Sequence, residues 1–223
     1  MDKPAGLHTA PLKPGEPETL LAWVTARYPE IAALPGRKST EPGLLHRLDR
    51  GTSGIVIIAR TAEAFARLRA EFSCGRVRKQ YMALCASRKM IEPGSRLCIE
   101  SRFAPWGPGR RKVRVLMPAE AGKKTGREAT KRLYETELEA VDVREHFVLM
   151  RASVVRGFRH QVRAHLAHLG LPIVGDPLYG VPAPAGAPDR MYLHAASIEL
   201  AHPLSGAPLL IRSELPAEFE ALR

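Results

Sequence analysis

The feature that most constrains this chain is a polar turn that leads directly into an apolar run. Residues 46–54 read His-Arg-Leu-Asp-Arg-Gly-Thr-Ser-Gly, and residues 55–59 read Ile-Val-Ile-Ile-Ala. A short apolar run rich in β-branched residues is typical of a buried strand. The pattern predicts that Asp49 lies between two arginines at the entrance to a core strand, a position suited to a nucleophile or base. It also fits an aspartate that caps a turn and pairs with an arginine.

Length and composition indicate room for one catalytic domain or two small ones. The chain has 223 residues, 45% of them hydrophobic, which suffices for a sizeable core. No apolar stretch approaches the roughly 18 residues of a membrane span, and the polar N-terminus does not resemble a signal peptide. The three cysteines are widely spaced and match no zinc or disulfide pattern, which favours a reducing, cytoplasmic setting.

The charge of the chain favours a polyanionic partner, of which nucleic acid is the usual one. Lys and Arg number 34 against 23 Asp and Glu, a formal charge of +11. Such an excess could serve solubility alone, but here the positive residues are clustered, as in phosphate-contacting patches. The clusters are Arg76, Arg78 and Lys79; Arg110, Arg111, Lys112 and Arg114; Lys123, Lys124 and Arg127; and Arg156, Arg159 and Arg163.

Periodicity and turn residues predict an α+β chain with a largely antiparallel or mixed sheet. Helices are expected at residues 18–28, at 61–73 between an N-cap at Thr61 and a stop at Gly75, and at 159–169 before Gly170. Strands are expected at 55–59, 80–86, 130–141, 146–155, 191–200 and 209–212. An extended arm at 1–16, a basic hairpin within 104–128 and a short final helix from Pro216 complete the prediction.

The helix predicted at 159–169 places polar side chains on a face of their own. Its apolar stripe consists of Val162, Leu166 and Leu169. His160 and Arg163 lie three positions apart on another face. A planar guanidinium there could clamp a carboxylate such as Asp49 through two hydrogen bonds. Judged by spacing alone, a phosphate contact or a solvent-facing side chain explains Arg163 better.

Tyr81 and two histidines are further candidates. On a strand, Tyr81 could stack on a base with its ring and move a proton through its hydroxyl, although a half-buried strand tyrosine is the commoner case. His165 and His168 have a spacing that permits metal binding, but no third ligand is convincingly placed. We therefore expect no metal.

Four ordered motifs resemble those of the RluA-type pseudouridine synthases. They are the turn at residues 46–54, the Lys-Gln-Tyr of residues 79–81, the Gly-Phe-Arg-His-Gln-Val-Arg of residues 157–163 with its continuation to 171, and residues 172–180. Weaker matches at 3–7, 193–195 and 202–204 extend the resemblance over nearly the whole chain. Four motifs in order are far more specific than one.

The resemblance implies one catalytic domain over residues 1–223, with a curved sheet, a central cleft and no appended RNA-binding domain. It implies isomerisation of uridine to pseudouridine in tRNA or rRNA without a cofactor. The N1–C1′ bond breaks, the uracil rotates and C5 joins C1′, once the uridine has been flipped out of its stem. The sequence is compatible with attack by Asp49 on C1′ or C6, or with its removal of the 2′ proton.

Roles for individual residues follow from the same resemblance. Asp49 matches the catalytic aspartate, Arg163 the arginine that pairs with it, and Tyr81 the tyrosine that stacks on the target uracil and is proposed to help proton transfer. Arg47 matches a residue implicated in filling the space left by the flipped base. Further RNA contacts are expected from Arg50, Thr52, Arg110, Arg111, Lys123, Lys124, Arg159, His160 and Gln161. We expect RNA as the partner of a monomeric chain, with no metal and no membrane.

Two departures from the family pattern and two rival functions complete the sequence reading. Residues 158–159 are Phe-Arg where the family usually has Arg-Thr, so Arg159 is the candidate to replace the lost arginine. The strand that commonly precedes residues 3–4 is missing, which fits either a shorter sheet edge or a misassigned start site. A non-catalytic RNA-binding protein on this scaffold would have lost the aspartate, tyrosine or arginine, and all three are present. A glycoside hydrolase needs a second placed acid, and none stands out beside Asp49.

Overall fold

The computed structural model describes residues 1–13, 15–87, 90–120 and 129–222. The chain divides into two compact units. The first consists of Met1–Lys79 and His194–Glu214, and the second consists of Gln80–Leu193 with the C-terminal residues from Leu215. Each unit combines helix with strands, so the α+β class predicted from the sequence is confirmed.

The described residues form three α-helices and nine strands. In chain order they are β1 (Asp2–Lys3), α1 (Leu20–Arg27), β2 (Ser53–Ile55), α2 (Ala62–Cys74), β3 (Arg78–Ala86), β4 (Arg96–Trp106), β5 (Lys112–Leu116), β6 (Tyr134–Val143), β7 (Phe147–Val154), α3 (Gln161–His168), β8 (Leu193–Ala201) and β9 (Pro208–Arg212). Short 3₁₀ segments cover Pro29–Ala33, Pro108–Arg110, Pro118–Glu120 and Ala217–Leu222. None of the helices described here is long and apolar enough to cross a membrane.

Strands of the first unit pair in both directions, as the mixed sheet predicted from the sequence requires. β1 runs antiparallel to β2, β2 runs parallel to β8, and β8 runs antiparallel to β9. The bounds predicted for α2 are confirmed: the Thr61 hydroxyl accepts the Ala64 amide, and Gly75 ends the helix with φ +74°. Phe65 and Leu68 of this helix are buried in a core shared with β2 and β8.

The apolar run at residues 55–59 forms less strand than the sequence predicts. β2 ends at Ile55, and the rest of the run continues as mostly buried backbone outside the ladder. The Ile57 amide donates to His46 Nε2, and the Ala59 amide donates to the Gly43 carbonyl. Because a ring nitrogen and a loop carbonyl take these amides, no partner strand is needed there and the regular strand stops.

In the second unit the strands lie in the order β3, β7, β6, β4, β5. The pairs β4–β5, β4–β6 and β6–β7 are antiparallel, so β4 and β5 form the predicted basic hairpin. The sequence predicts no strand between residues 86 and 104, yet β4 begins at Arg96. Its buried positions include Ile99, Ser101 and Phe103. The polar Ser101 interrupts the apolar alternation and conceals the strand.

The helix α3 is shorter than predicted at its start. His160 has φ +57° and lies outside the helix, which runs over Gln161–His168 and is followed by Gly170 with φ +79°. Val162 and Leu166 are buried against the strands of this unit, as the predicted stripe requires. The left-handed backbone at His160 turns its side chain away from the helical ladder. His160 and Arg163 therefore do not share a helix face in the predicted way.

Candidate active site

The Asp49 turn is held by the N-terminal arm of the first unit. The Thr9 hydroxyl accepts the Leu48 amide at 3.1 Å and donates to the Leu48 carbonyl at 2.8 Å. On the other side of Asp49, the Gly6 amide donates to the Arg50 carbonyl at 2.8 Å, and Arg50 Nε donates to the Gly6 carbonyl at 2.9 Å. Both neighbours of Asp49 are thus fixed, and the half-buried carboxylate projects from a backbone that has little freedom.

Lys3 adds buried hydrogen bonds to those that hold the Asp49 turn against the N-terminal arm. Its side chain is buried, and its Nζ donates to the carbonyls of Pro4, Leu7 and Arg50 at 2.8, 2.7 and 3.2 Å. A buried ammonium bonded to three carbonyls draws these segments together. The weak motif match at residues 3–7 therefore has a physical role, because it supports the turn that carries Asp49.

The interior side of the turn is closed by buried groups. The Thr52 amide donates to the Asp49 carbonyl at 3.1 Å, and its side chain is buried. His46 accepts the Ile57 amide through Nε2 and stacks on Phe72 with ring centroids 5.4 Å apart. Burial lowers the pKa of His46 to about 3, so this ring stays neutral. Burial favours a structural role for Thr52 over the predicted RNA contact.

Arg47 is exposed to solvent and forms an ion pair with a buried carboxylate. Its Nη1 lies 2.9 Å from Glu41 Oε1, and the side chains are 50% and 3% exposed, respectively. An exposed arginine tethered to a buried carboxylate keeps its charge at the surface with a restricted direction. Glu41 was not singled out by the sequence, and its only signal is a carboxylate six positions before an arginine of the motif.

Tyr81 lies on β3, as predicted, at the start of the second unit. The tyrosine is half-buried and packs against the core cluster that includes Ala83, Met150 and Val162. A ring held in this way by a strand has a defined plane. It could offer a stacking surface while its hydroxyl keeps a polar role.

Arg163 forms a buried ion pair that the sequence reading missed. Its Nε donates to Asp176 Oδ2 and its Nη2 donates to Asp176 Oδ1, both at 2.7 Å. The side chains of Arg163 and Asp176 are 6% and 0% exposed. Burial acts to raise the pKa of Asp176, but the hydrogen bonds and charge of Arg163 outweigh it and lower this pKa. Asp176 lies within the matched segment 172–180, which is the signal that could have identified it.

Tyr179 connects three parts of the second unit around this pair. Its ring lies under the Arg163 guanidinium, with Cζ 5.3 Å from the ring centroid. Its Oη accepts the Val113 amide at 2.6 Å and lies 3.0 Å from His160 Nδ1. His160 and Arg163, predicted to converge on one helix face, thus meet through Tyr179 instead.

Gln161 and His165 belong to a buried polar network beneath α3. Gln161 Nε2 donates to the Glu135 carbonyl and the Thr136 hydroxyl, and its Oε1 accepts the Phe158 amide. The protein thus uses both ends of the Gln161 amide, which favours a structural role, and the RNA contact of Gln161 stays a prediction. His165 is buried between the hydroxyls of Ser101 and Thr136, each at 2.8 Å, and burial lowers its pKa to about 4. Within the described ranges no group of three or more His, Cys, Asp or Glu side chains could hold a metal ion.

The basic hairpin β4–β5 carries an exposed aromatic residue as well as positive charge. Trp106 is 53% exposed, and Lys112 Nζ lies 5.9 Å from its ring centroid. Arg159 Nη2 donates to the carbonyls of Arg110 and Lys112, which ties the segment before α3 to the hairpin. Arg110 and Arg111 are exposed at its tip. The sequence reading passed over Trp106, although it stands beside the basic cluster. The predicted contacts Lys123 and Lys124 lie outside the described residues.

The described units contain the parts that the pseudouridine synthase motifs predict: an aspartate turn held by hydrogen bonds, a strand tyrosine, a buried arginine and a basic hairpin. Comparison with known proteins confirms this class. Residues 1–168 match the family described as RNA pseudouridylate synthase, and the chain belongs to this family. The resemblance to the RluA-type enzymes inferred from the motifs is therefore confirmed.

Several relatives match almost the whole chain. An uncharacterized RNA pseudouridine synthase of Chloroflexus aurantiacus is 37% identical over 98% of this chain and 63% of its own length. Ribosomal large subunit pseudouridine synthase D of Xanthomonas campestris is 34% identical over 100% and 64%, and that of Pseudomonas aeruginosa is 32% identical over 98% and 66%. The chain thus spans slightly less than two thirds of these relatives.

Solved structures support the fold. Human RNA pseudouridylate synthase domain containing 1 superposes with a TM-score of 0.67 at 22% identity, over 96% of this chain and 78% of that one. Human RNA pseudouridylate synthase domain containing 4 gives the same TM-score at 21% identity, over 98% and 85%. At these identities the likeness concerns the architecture.

Proposed function

We propose that this protein isomerises specific uridines to pseudouridine in structured RNA, with Asp49 as the nucleophile or base. The observation that carries the proposal is the Asp49 turn, because hydrogen bonds clamp Leu48 and Arg50 on either side of the carboxylate. Cleaving the N1–C1′ bond, rotating the uracil and joining C5 to C1′ needs no redox step and no external reactant. A precisely held group that acts on a flipped base is what such chemistry requires.

Arg163 and Tyr81 have proposed roles beside Asp49. Arg163 pairs with the Asp49 carboxylate, keeps it ionised and orients it, since a guanidinium recognises carboxylates through two parallel hydrogen bonds. The observed Asp176 pair supports this proposal because it shows a guanidinium held in one orientation. Tyr81 stacks on the target uracil and assists proton transfer through its hydroxyl.

The proposed substrate is a stem-loop of tRNA or rRNA. The names of the relatives from Xanthomonas campestris and Pseudomonas aeruginosa specify the large ribosomal subunit, which favours rRNA. Bases in loops are the least costly to flip, so the target uridine lies in or beside a short loop. The monomeric chain acts in the cytoplasm, the setting that the spacing of its cysteines favours.

Basic residues supply the proposed RNA contacts. Arg47 fills the space that the flipped base leaves. The flanking RNA is contacted by Arg50, Arg110, Arg111, Lys123, Lys124, Arg159 and His160. The formal charge of +11 and the exposed tip of the β4–β5 hairpin support this assignment. Trp106 adds an aromatic surface on which a base of a single strand could stack.

Nucleoside analysis by mass spectrometry tests the proposed function directly. Total tRNA and rRNA from cells with and without the gene are compared, and the missing pseudouridine is mapped to one position. The proposal predicts loss of pseudouridine at one or a few sites and its return on re-expression. A non-catalytic RNA-binding protein predicts unchanged nucleosides in both fractions, and that result would overturn the proposal.

A further inference from the structure

The carboxylate of Asp176 is held by several hydrogen bonds. It is fully buried and accepts four hydrogen bonds, two from the Arg163 guanidinium and one each from the amides of Leu178 and Tyr179. The two amides fix the carboxylate in the turn that follows α3. The two guanidinium bonds then fix the plane and the rotation of Arg163.

Orientation of the guanidinium follows from this arrangement. Arginine has a rigid planar fork, and one carboxylate here takes the Nε and Nη2 edge. The edge formed by Nη1 must therefore point away from Asp176. The ring of Tyr179, 5.3 Å from Cζ, limits movement of the plane from one side. A long flexible side chain is in this way given a single direction.

We propose that Asp176 is a positioning residue for the isomerisation, and that it acts by holding the Arg163 guanidinium in one orientation. This inference rests on the proposed function. Asp176 does not touch the substrate and takes no proton. The turn that carries Asp176 determines the orientation of the Arg163 guanidinium, and the ring of Tyr179 restricts the same guanidinium from one side.

Such positioning changes the rate more than it changes RNA binding. A misplacement of about 1 Å in a catalytic group can cost roughly 100-fold in rate. RNA affinity comes mainly from exposed positive groups and phosphates, which Asp176 does not contact. A purely structural ion pair would instead lower the folded fraction and reduce kcat only in proportion.

The decisive variant is Asp176→Asn. It is studied on the full chain with an RNA stem-loop that the wild-type protein converts from uridine to pseudouridine. We expect kcat to fall roughly 10- to 100-fold while KM for the RNA changes less than about twofold. The more conservative Asp176→Glu keeps a carboxylate one methylene longer and should retain an intermediate kcat. Glu218→Gln is the matched control, because Glu218 is the partner of Arg190 in the same unit. This control should keep the wild-type kcat.

A double-variant cycle shows whether Asp176 acts through Arg163. Adding Asp176→Asn to Arg163→Met should lower kcat no further than Arg163→Met alone. If the double variant instead shows the product of the two single losses in kcat, the proposal is overturned. A wild-type kcat in folded Asp176→Asn would also overturn it. If thermal melting shows that Asp176→Asn is unfolded, Asp176→Glu decides, and a wild-type kcat there also overturns it. Activity that survives in Asp49→Asn would instead overturn the proposed function itself.

Discussion

Lys79 carries a buried positive charge in the first unit, and this charge makes the stability of the unit depend on pH. Its side chain is buried with Nζ 5.7 Å from the Phe72 ring centroid, and burial lowers its pKa to about 8. The charge also helps to keep the neighbouring His46 neutral. A lysine in this position weakens the folded state as long as it is protonated.

The stability of the protein should therefore rise with pH between about 8 and 10.5. In this window the unfolded chain, with an ordinary lysine pKa of 10.5, binds more protons than the folded chain. Lys79→Met removes this dependence. The variant should therefore have a higher free energy of unfolding than wild type at pH 8, and this difference should shrink by up to about 3 kcal/mol by pH 10.5. Urea unfolding at several pH values measures it, with the exposed Lys38→Met as control. A gain that stays constant from pH 7 to pH 10.5 would show that Lys79 is not desolvated.

At Tyr81 the contributions of the ring and of the hydroxyl can be measured separately. Tyr81→Phe keeps the stacking surface, so RNA binding should stay within about twofold while most activity is lost. Tyr81→Ala removes both and should lose binding as well. Filter binding and single-turnover assays measure the two effects, with Tyr28→Phe as the matched control. Wild-type turnover in Tyr81→Phe would exclude the hydroxyl from the chemistry.

At the scale of elements, the turn after α3 leaves no room for a side chain at Gly175. Gly175 has φ +71°, and a Cβ there would lie 1.8 Å from the Arg190 carbonyl oxygen. Gly186 has a similar φ of +84° with nothing within 4 Å of an added Cβ. Both glycines have a left-handed backbone, but only Gly175 lacks room for a Cβ, so the two form a matched pair.

Gly175→Ala should cost several kcal/mol in unfolding free energy, whereas Gly186→Ala should cost about 1–2 kcal/mol for the left-handed backbone alone. Gly175→Ala also shifts Asp176, so its remaining folded fraction should show a lowered kcat. Chemical unfolding and single-turnover rates test both points. Equal losses of stability in the two variants would contradict the close approach to Arg190.

Local signals predicted some elements well. The helix α2 is bounded by the expected Thr61 and Gly75, because capping depends on neighbouring residues alone. β4 and the end of β2 depend on long-range partners, which a one-dimensional pattern does not contain. The buried polar Ser101 hid β4, and the ring of His46 took an amide that would otherwise extend β2. His160 shortened α3 through its positive φ.

The candidate site shows the same division between local and long-range information. Asp49 and Tyr81 lie on the turn and strand that the motifs predict. Asp176 was missed because its partner Arg163 is thirteen residues away and separated by a turn. Glu41 and Tyr179 were missed for the same reason, since pairings of this kind become visible only in three dimensions.

At the scale of the whole molecule, positive charge should govern RNA affinity. Neutralising two exposed arginines with the pair Arg110→Ala and Arg111→Ala should weaken binding to all RNAs similarly. The slope of log Kd against log salt should fall by roughly one unit per lost phosphate contact. The pair Lys123→Ala and Lys124→Ala tests the cluster of Lys123, Lys124 and Arg127 in the same assay.

The control pair consists of two exposed arginines outside the predicted RNA contacts: Arg67 on α2, and Arg96 at the end of β4 opposite the hairpin tip. Substituting both with alanine makes the same change in net charge and should leave the slope nearly unchanged. An unchanged slope in the Arg110/Arg111 variant would show that the hairpin does not touch RNA. Activity on intact ribosomal particles but never on a short hairpin would refute recognition of a local stem-loop.

The central claim is that the Asp49 carboxylate carries the chemistry, and one substitution tests it most directly. Pseudouridine formation in a stem-loop substrate is measured for Asp49→Asn beside wild type and the exposed control Asp189→Asn. We expect Asp49→Asn to form no detectable pseudouridine while its RNA affinity stays within about threefold, because a negative charge does not supply phosphate binding. Turnover by Asp49→Asn within tenfold of wild type would contradict the account.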